Sequence, residues 1–148
     1  MIEVEFRVAT CSDIDDIYRI EKDSFSALWS KELFASEIEN DNSVVICAFI
    51  NSEVIGFVCF MFVYDEIHLS NIAVDEKYRK KGIGSALLNI VKEKMLKEKY
   101  DTIFLEVRVS NTSAISLYEK FGFKNVGIRR KYYSDNNEDA VIMCYLGV

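Results

Sequence analysis

The chain has 148 residues, 50% of them hydrophobic, which suffices to bury one substantial core without metal or disulfide staples. Its formal net charge of −6 disfavours nucleic-acid binding across the whole surface, and it favours cationic or amine partners. The chain start has no signal-peptide pattern, the longest apolar run is too short to span a bilayer, and the four cysteines form no C-x-x-C pair. We therefore expect a reduced, cytoplasmic protein without membrane contact.

The first third of the chain is predicted to form a strand and two helices. Polar and apolar residues alternate over 3–9, as they do in a half-buried strand. Ser12 can N-cap a helix whose apolar positions begin at Ile14, and Ser30 can cap a second helix that reaches Ile38.

The middle of the chain is predicted to be a meander of three strands followed by a long helix. The strands are expected over residues 44–50, 54–64 and 66–74. From Gly82 to Lys99 the apolar residues recur every three or four positions, which predicts one apolar helical face.

The last third is predicted to contain three strands and a short helix. The strands are expected over 102–109, 123–133 and 139–146, with the helix over 111–121 ending near Gly122. Strands 66–74 and 102–109 flank the long helix, so they are predicted to be parallel neighbours in a mixed α/β sheet. No linker interrupts the elements, and residues 1–148 are therefore predicted to form a single domain.

A basic, glycine-containing loop joins strand 66–74 to the long helix. It contains Arg79, Lys80, Lys81, Gly82 and Gly84. Glycines let a backbone approach a pyrophosphate, and the free N–H groups and dipole of the first helical turn favour negative charge. The loop lacks the third glycine of a dinucleotide fingerprint and the Gly-Lys-Ser/Thr end of a P-loop. By itself it fits a pyrophosphate site and a solvated basic turn equally well.

Several short motifs in combination resemble the GNAT acetyltransferase superfamily. They are Arg79-x-x-Gly82-x-Gly84, Leu105-Glu106-Val107-Arg108, Asn111, Ala114-Ile115-x-Leu117-Tyr118 and Gly122-Phe123. Within it the chain is most similar to the RimI-type ribosomal-protein-alanine N-acetyltransferases, through Asn71-Ile72-Ala73-Val74, Arg129-Arg130-x-Tyr132-Tyr133 and Phe25-Ser26-x-x-Trp29-Ser30. Leu28 stands where that family usually has proline. The resemblance implies a GNAT-like mixed sheet of about seven strands with four helices, in the order β-α-α-β-β-β-α-β-α-β-β.

The resemblance also implies a site for acetyl-CoA and no metal. The backbone of Ile72, Ala73 and Val74 would pair with the pantetheine arm as an added strand would, and Asn111 would contact the cofactor. The residues implied for the pyrophosphate and its signature motif are Arg79, Lys80, Lys81, Gly82, Ile83, Gly84 and Ser85.

The resemblance implies that Glu106 is the general base and Tyr118 the general acid. Strand alternation places Glu106 on the face opposite Leu105, and Tyr118 lies about two helical turns after Asn111, so those two share one side of their helix. An α-amine titrates near pH 8 and a lysine amine near 10.4, so a terminal amine is the easier acceptor for one base. A backbone N–H of strand 66–74 is the predicted oxyanion donor.

Plainer interpretations of these residues stay open from the sequence alone. Glu106 could pair with Arg108 as an ordinary strand glutamate, and Tyr118 could be a core aromatic. Tyr132 is predicted to line the acceptor groove, with Tyr133 as the alternative. Among the remaining candidates, His68 has no second ligand at metal-binding spacing, and Trp29 fits a hydrophobic plug.

We predict transfer of an acetyl group from acetyl-CoA to the α-amine of a protein N-terminus by direct attack in a ternary complex. The resemblance implies that this partner is a small ribosomal subunit protein with an N-terminal alanine. The alternatives are acetylation of a small amine or a lysine side chain, and a CoA-binding module without catalysis. We expect a monomer or weak dimer that makes no direct contact with nucleic acid.

Overall fold

The structure is a computed structural model that describes residues 3–24 and 29–147, and these residues form one seven-stranded sheet with helices on both faces. The strands are β1 Glu5–Val8, β2 Ser43–Ile50, β3 Glu53–Val63, β4 Glu66–Val74, β5 Thr102–Arg108, β6 Lys124–Tyr133 and β7 Glu138–Leu146. The helices are α1 Ile14–Ser24, α2 Lys31–Glu39, α3 Ile83–Lys97 and α4 Thr112–Phe121. The predicted mixed α/β fold and its element order are confirmed.

The sheet has the strand order β1-β2-β3-β4-β5-β7-β6 and one parallel pair, β4 with β5. The parallel pairing is confirmed, and it is short: only Glu66, Ile67 and His68 have partners on β5. Beyond that point β4 stays paired with β3, and β5 stays paired with β7. The two central strands therefore diverge towards their carboxyl ends.

A β-bulge lies where β4 leaves β5. Phe60 pairs with Leu69 and Cys59 pairs with Asn71, so Ser70 is an extra residue in the ladder. Because side chains alternate along a strand, one extra residue changes which face the following side chains reach. Asn71 accordingly faces α1, where it contacts Glu21.

Two hydrophobic cores, one on each face of the sheet, hold the helices in place. The apolar face of α3 and Tyr118 of α4 pack with Ile67 and Leu105 on one side. On the other side Ile17 and Ile20 of α1 and Phe34 of α2 pack against Phe57. Each fully buried aliphatic side chain of this size contributes about 2 kcal/mol relative to exposure.

The start of the first helical segment differs from the prediction, and the start of α2 agrees with it. Ser12 as an N-cap is wrong, because a short 3₁₀ turn over Cys11–Asp13 precedes α1. Thr10 is the capping position, and its amide donates to Asp13 Oδ2 at 2.8 Å. Ser30 caps α2 as predicted, since its hydroxyl accepts from the Leu33 amide at 3.1 Å.

All four cysteines are unpaired, and Cys47, Cys59 and Cys144 are buried. Burial raises the pKa of Cys47 to about 12, so this thiol acts as a small apolar side chain. No helix within residues 3–24 or 29–147 is long and apolar enough to cross a membrane.

The glycine that ends α4 provides a test of the fold. Gly122 has φ 116°, and a Cβ there would lie 3.1 Å from Tyr145 Cε1. We expect Gly122→Ala to lower the free energy of unfolding by about 1–3 kcal/mol, through backbone strain and crowding. Urea unfolding followed by circular dichroism measures this loss.

Gly127→Ala is the matched control, because its Cβ would make an ordinary contact of 3.6 Å with Ile142. The control should change stability by less than about 1 kcal/mol. Equal losses in both variants would contradict the assignment of strain to position 122.

Candidate active site

The divergence of β4 and β5 opens a cleft between them, which we term the β4–β5 cleft. The cleft receives side chains from both faces of the sheet, since α1 and α4 lie on opposite faces. Its lining residues are Glu21, Trp29, Leu69, Ser70, Asn71, Ile72, Glu106, Val107, Arg108, Asn111, Ala114, Tyr118 and Tyr133. Four predicted site residues, Ile72, Glu106, Asn111 and Tyr118, are thus brought together.

The backbone of β4 offers hydrogen-bonding groups to this cleft. The Asp75 amide donates to the Ile55 carbonyl on β3 at 2.8 Å. In an antiparallel ladder alternate residues direct their N–H and C=O groups to the same neighbour, so Ala73 also faces β3. The peptide groups of Ile72 and Val74 therefore face away from β3. They can pair with an extended ligand, whereas those of Ala73 are directed to the sheet.

Arg79, the first position of the predicted signature, is bound to the protein itself. Its Nε donates to the Val74 carbonyl at 2.9 Å, and Nη2 donates to the Ser24 hydroxyl at 3.1 Å. The guanidinium thus joins the end of β4 to the end of α1. Its predicted contribution to the cofactor site stays a prediction.

The first turn of α3 has the features of an anion site. Gly82 precedes the helix with φ 84°, and the first helical hydrogen bond runs from Ala86 to the Gly82 carbonyl at 3.0 Å. The amides of Ile83, Gly84 and Ser85 therefore have no acceptor within the helix. Together with Lys80 and Lys81 in the same loop, this turn and the cleft-facing edge of β4 fit a pyrophosphate joined to an extended arm.

Glu106 on β5 is held by His68 and by the guanidinium group of Arg129. Its Oε2 lies 2.8 Å from His68 Nε2, and its Oε1 lies 3.4 Å from Arg129 Nε. The hydrogen bond from His68 lowers the pKa of Glu106 most; burial opposes this, and the charge of Arg129 assists it. The carboxyl group is therefore ionised at neutral pH.

Arg108 does not pair with Glu106, although the plainer interpretation of the sequence allowed that pair. It binds Asp135 at 3.0 Å and Glu138 at 3.2 Å, and its guanidinium carbon lies 4.0 Å from the centre of the Tyr133 ring. These contacts fix the turn between β6 and β7 beside the cleft.

The two adjacent tyrosines of β6 have different surroundings. Tyr133 lines the cleft, whereas Tyr132 is 47% exposed and its ring lies 5.8 Å from the Arg129 guanidinium carbon. The structure thus places Tyr133 in the cleft wall and Tyr132 beside a partner of Glu106. The predicted acceptor contact by Tyr132 stays a prediction.

Tyr118 and Asn111 reach the cleft from α4. Tyr118 is 6% exposed, its ring packs 5.6 Å from Phe123, and burial raises the pKa of its phenol. Asn111 caps α4, because its Oδ1 accepts from the Ala114 amide at 3.2 Å. Both side chains lie on the cleft side of this helix, as the spacing predicts.

Sequence reasoning missed two polar residues of the site, Glu21 at the cleft wall and His68 in contact with Glu106. Glu21 follows Ile17 and Ile20 at helical spacing. A carboxyl group on the buried face of α1 is therefore the signal in the sequence that could have identified Glu21. His68 was considered only for metal binding. Within the described part of the chain no group of His, Cys, Asp or Glu side chains could hold a metal ion. Positions 25–28 of the motif before Trp29 lie outside the described residues.

Comparison with known proteins identifies relatives along most of the chain. The sequence profile of the Acetyltransferase (GNAT) family matches residues 14–123. The ribosomal protein bS18-alanine N-acetyltransferase of Escherichia coli K12 is 39% identical over 134 residues, which cover 89% of this chain and 90% of the relative. An N-alpha-acetyltransferase of Sulfurisphaera tokodaii is 34% identical and covers 95% of this chain and 92% of the relative.

A solved structure supports the same relationship. The crystal structure of the ribosomal-protein-S18-alanine N-acetyltransferase from Escherichia coli superposes with a TM-score of 0.89 at 36% identity. The match covers 97% of this chain and 94% of that one.

The contacts of Glu106 lead to a test by titration. We expect His68→Phe to raise the pKa of Glu106, because the hydrogen bond from His68 is the largest cause of its lowering. Carbon-13 NMR of labelled glutamate carboxyl groups measures the change. Arg129→Gln should raise the same pKa less, since Arg129 acts from 3.4 Å and only through its charge. A larger effect of Arg129→Gln would contradict the assignment.

Proposed function

This chain belongs to the GNAT family of acetyltransferases, and on that premise we propose that it acetylates the α-amine of a protein N-terminus. It is an acetyl-CoA-dependent N-acetyltransferase. The acceptor that we propose is the N-terminal alanine of a ribosomal protein, because relatives over most of its length are named for that reaction. We propose one catalytic domain that works in the cytoplasm, supported by a single sheet and four unpaired thiols.

The observation that carries the proposal is the placement of Glu106 and Tyr118 in one cleft that side chains from both sheet faces line. An acetyl donor can lie along β4 on the α4 side, and an amine can enter from the α1 side. Direct transfer needs both reactants in contact, and holding them together supplies much of the rate enhancement. Among the residues that the structure describes, no cysteine lines this cleft, which favours direct attack over an acetyl-enzyme.

When bound, acetyl-CoA supplies the acetyl thioester. The residues that would hold it are Ile72 and Val74, through their cleft-facing peptide groups, and the helix start at 83–85, through its amides. A cleft-facing N–H of β4 is placed to stabilise negative charge that develops on the acetyl oxygen.

Glu106 is the group that would take the proton of the amine. Its lowered pKa keeps it ionised, which makes it a weak base towards a free ammonium ion. A weak base suffices, because the nitrogen becomes strongly acidic as its bond to the acetyl carbon forms. His68 and Arg129 hold the carboxylate in place while this happens.

Tyr118 is the group that would meet the departing sulfur. Burial raises the pKa of the Tyr118 phenol. The buried phenol stays protonated and is a weaker acid than a phenol in water. It would therefore stabilise the departing sulfur first as a hydrogen-bond donor, and it would transfer its proton to that sulfur as negative charge develops there.

The proposed acceptor is tested with a panel of acetyl acceptors. The panel holds a ribosomal N-terminal peptide that begins with alanine, the same peptide with a blocked α-amine and a free lysine, and a polyamine. We expect turnover of the first only. If only the blocked peptide or only the polyamine is acetylated, the acceptor is a lysine side chain or a small amine, and the proposed acceptor is wrong. If calorimetry shows CoA binding and no compound is acetylated, the chain is a CoA-binding module without catalysis.

Glu106→Gln tests the base. We expect kcat to fall on the order of 10²-fold at neutral pH, because the amide cannot accept the proton. The affinity for CoA should stay unchanged in a calorimetric titration. The matched control is Glu119→Gln, which neutralises an exposed carboxyl on α4 and should keep full activity. Full turnover of Glu106→Gln would show that the base assignment is wrong.

Tyr118→Phe tests the acid. We expect kcat to fall on the order of 10-fold to 10²-fold, since only the hydroxyl group is removed from a ring that otherwise keeps its packing. Thermal unfolding should show that the fold is intact. Tyr64→Phe, at a residue that is 96% exposed, serves as the control. An unchanged kcat for Tyr118→Phe would exclude this role.

A further inference from the structure

A buried carboxyl group on α1 has no part in the chemistry described above. Glu21 is 0% exposed and yet lies at the wall of the β4–β5 cleft. Its Oε2 accepts a hydrogen bond from the Trp29 amide at 2.9 Å, and its Oε1 accepts one from Asn71 Nδ2 at 2.7 Å. Taking a carboxylate out of water costs several kcal/mol unless strong interactions offset the loss. The two hydrogen bonds are the interactions that offset it here.

These two bonds join three walls of the cleft at one point. Glu21 belongs to α1, and Trp29 immediately precedes the cap of α2. Asn71 directly follows the bulge at Ser70, where β4 leaves β5. One side chain therefore fixes the distance between α1, the start of α2 and the diverging strand.

The choice of glutamate follows from the donors that meet there. The Trp29 amide and the Asn71 side chain both donate, so two acceptor oxygens are needed at one place. A carboxylate has two acceptor oxygens, whereas the amide of glutamine has one and would direct its NH₂ group at a donor. Burial raises the pKa of Glu21 most, and the two hydrogen bonds oppose this rise by favouring the charged form.

We propose that Glu21 is a positioning residue that holds the acceptor side of the cleft and so sets the affinity for the N-terminal peptide. The inference rests on the proposed function. Trp29 lies with α2 on the face where Glu106 also points, whereas Asn111 and Tyr118 reach the cleft from α4 on the opposite face. Ile72 keeps its place through its pairing with Val58 on β3. Disturbing Glu21 should therefore affect the peptide and leave acetyl-CoA in place.

The test is a steady-state comparison of Glu21→Gln with the unaltered enzyme, varying peptide and acetyl-CoA separately. We expect KM for the peptide to rise about tenfold, because one buried donor loses its acceptor. The kcat and the KM for acetyl-CoA should change less than about twofold. Asp23→Asn, which removes an exposed carboxyl of the same helix, should change none of these values.

A double variant that exchanges the carboxyl group of position 21 and the amide group of position 71 tests whether the two hydrogen bonds cause the change in peptide affinity. In Glu21→Gln/Asn71→Asp, the introduced amide can accept from Trp29 and donate to the introduced carboxylate. We expect this double variant to recover most of the peptide affinity. Asn71→Asp alone should lose affinity, since it places a second carboxyl group in contact with the buried carboxyl group of Glu21.

Three outcomes would overturn the proposal: an unchanged peptide KM in Glu21→Gln, an equal rise in both KM values, or a double variant no better than Asn71→Asp. The comparison of the double variant with Asn71→Asp can be made even if Glu21→Gln fails to fold. Absence of peptide turnover in the unaltered enzyme would instead refute the proposed function itself.

Discussion

The divergence of β4 from β5 is the constraint on which the site depends. Two parallel strands that stayed paired would satisfy each other's peptide groups and would leave no space between them. Here the pairing ends at His68, while β3 and β7 continue to hold the two strands on their outer sides. The peptide groups of Ile72 and the Val74 amide are thereby available to a ligand without unravelling the sheet, while the Val74 carbonyl accepts from Arg79. Side chains from both faces can meet in the same cleft.

Acidic and basic side chains are distributed unequally around the cleft. Glu21 and Glu106 are acidic groups at the wall, and the charge of Arg108 is engaged by Asp135 and Glu138. In the proposed function a terminal amine would meet the ionised Glu106 carboxylate, which lies beside Arg129. The basic residues concentrate instead in the loop before α3, where a pyrophosphate would lie. In the proposed function, the donor and the acceptor would thus meet groups of opposite charge.

Much of the fold followed from local patterns, and the errors have local causes too. The helical period of α3, the Ser30 cap and the stop at Gly122 were all readable, because each depends on residues within one or two turns. Ser12 failed as a cap, since the Asp13 carboxylate reaches back to the Thr10 amide and starts a 3₁₀ turn earlier. Of the adjacent tyrosines on β6, the sequence could not say which one enters the cleft, because that depends on an irregularity in the pairing of β6 with β7.

By itself the sequence determined the mixed sheet and the glycine-containing helix start, since short-range periodicity encodes these features, and its resemblance to the family made Glu106 and Tyr118 candidates. Only the tertiary structure decided what surrounds them. His68 meets Glu106 across 38 positions, and Glu21 meets Asn71 across 50. The contact of His68 depends on the register of β4 against β5, and the contact of Asn71 depends on the bulge at Ser70. Strand register is set by the packing of the whole sheet, so the contacts follow from it and are absent from any local pattern.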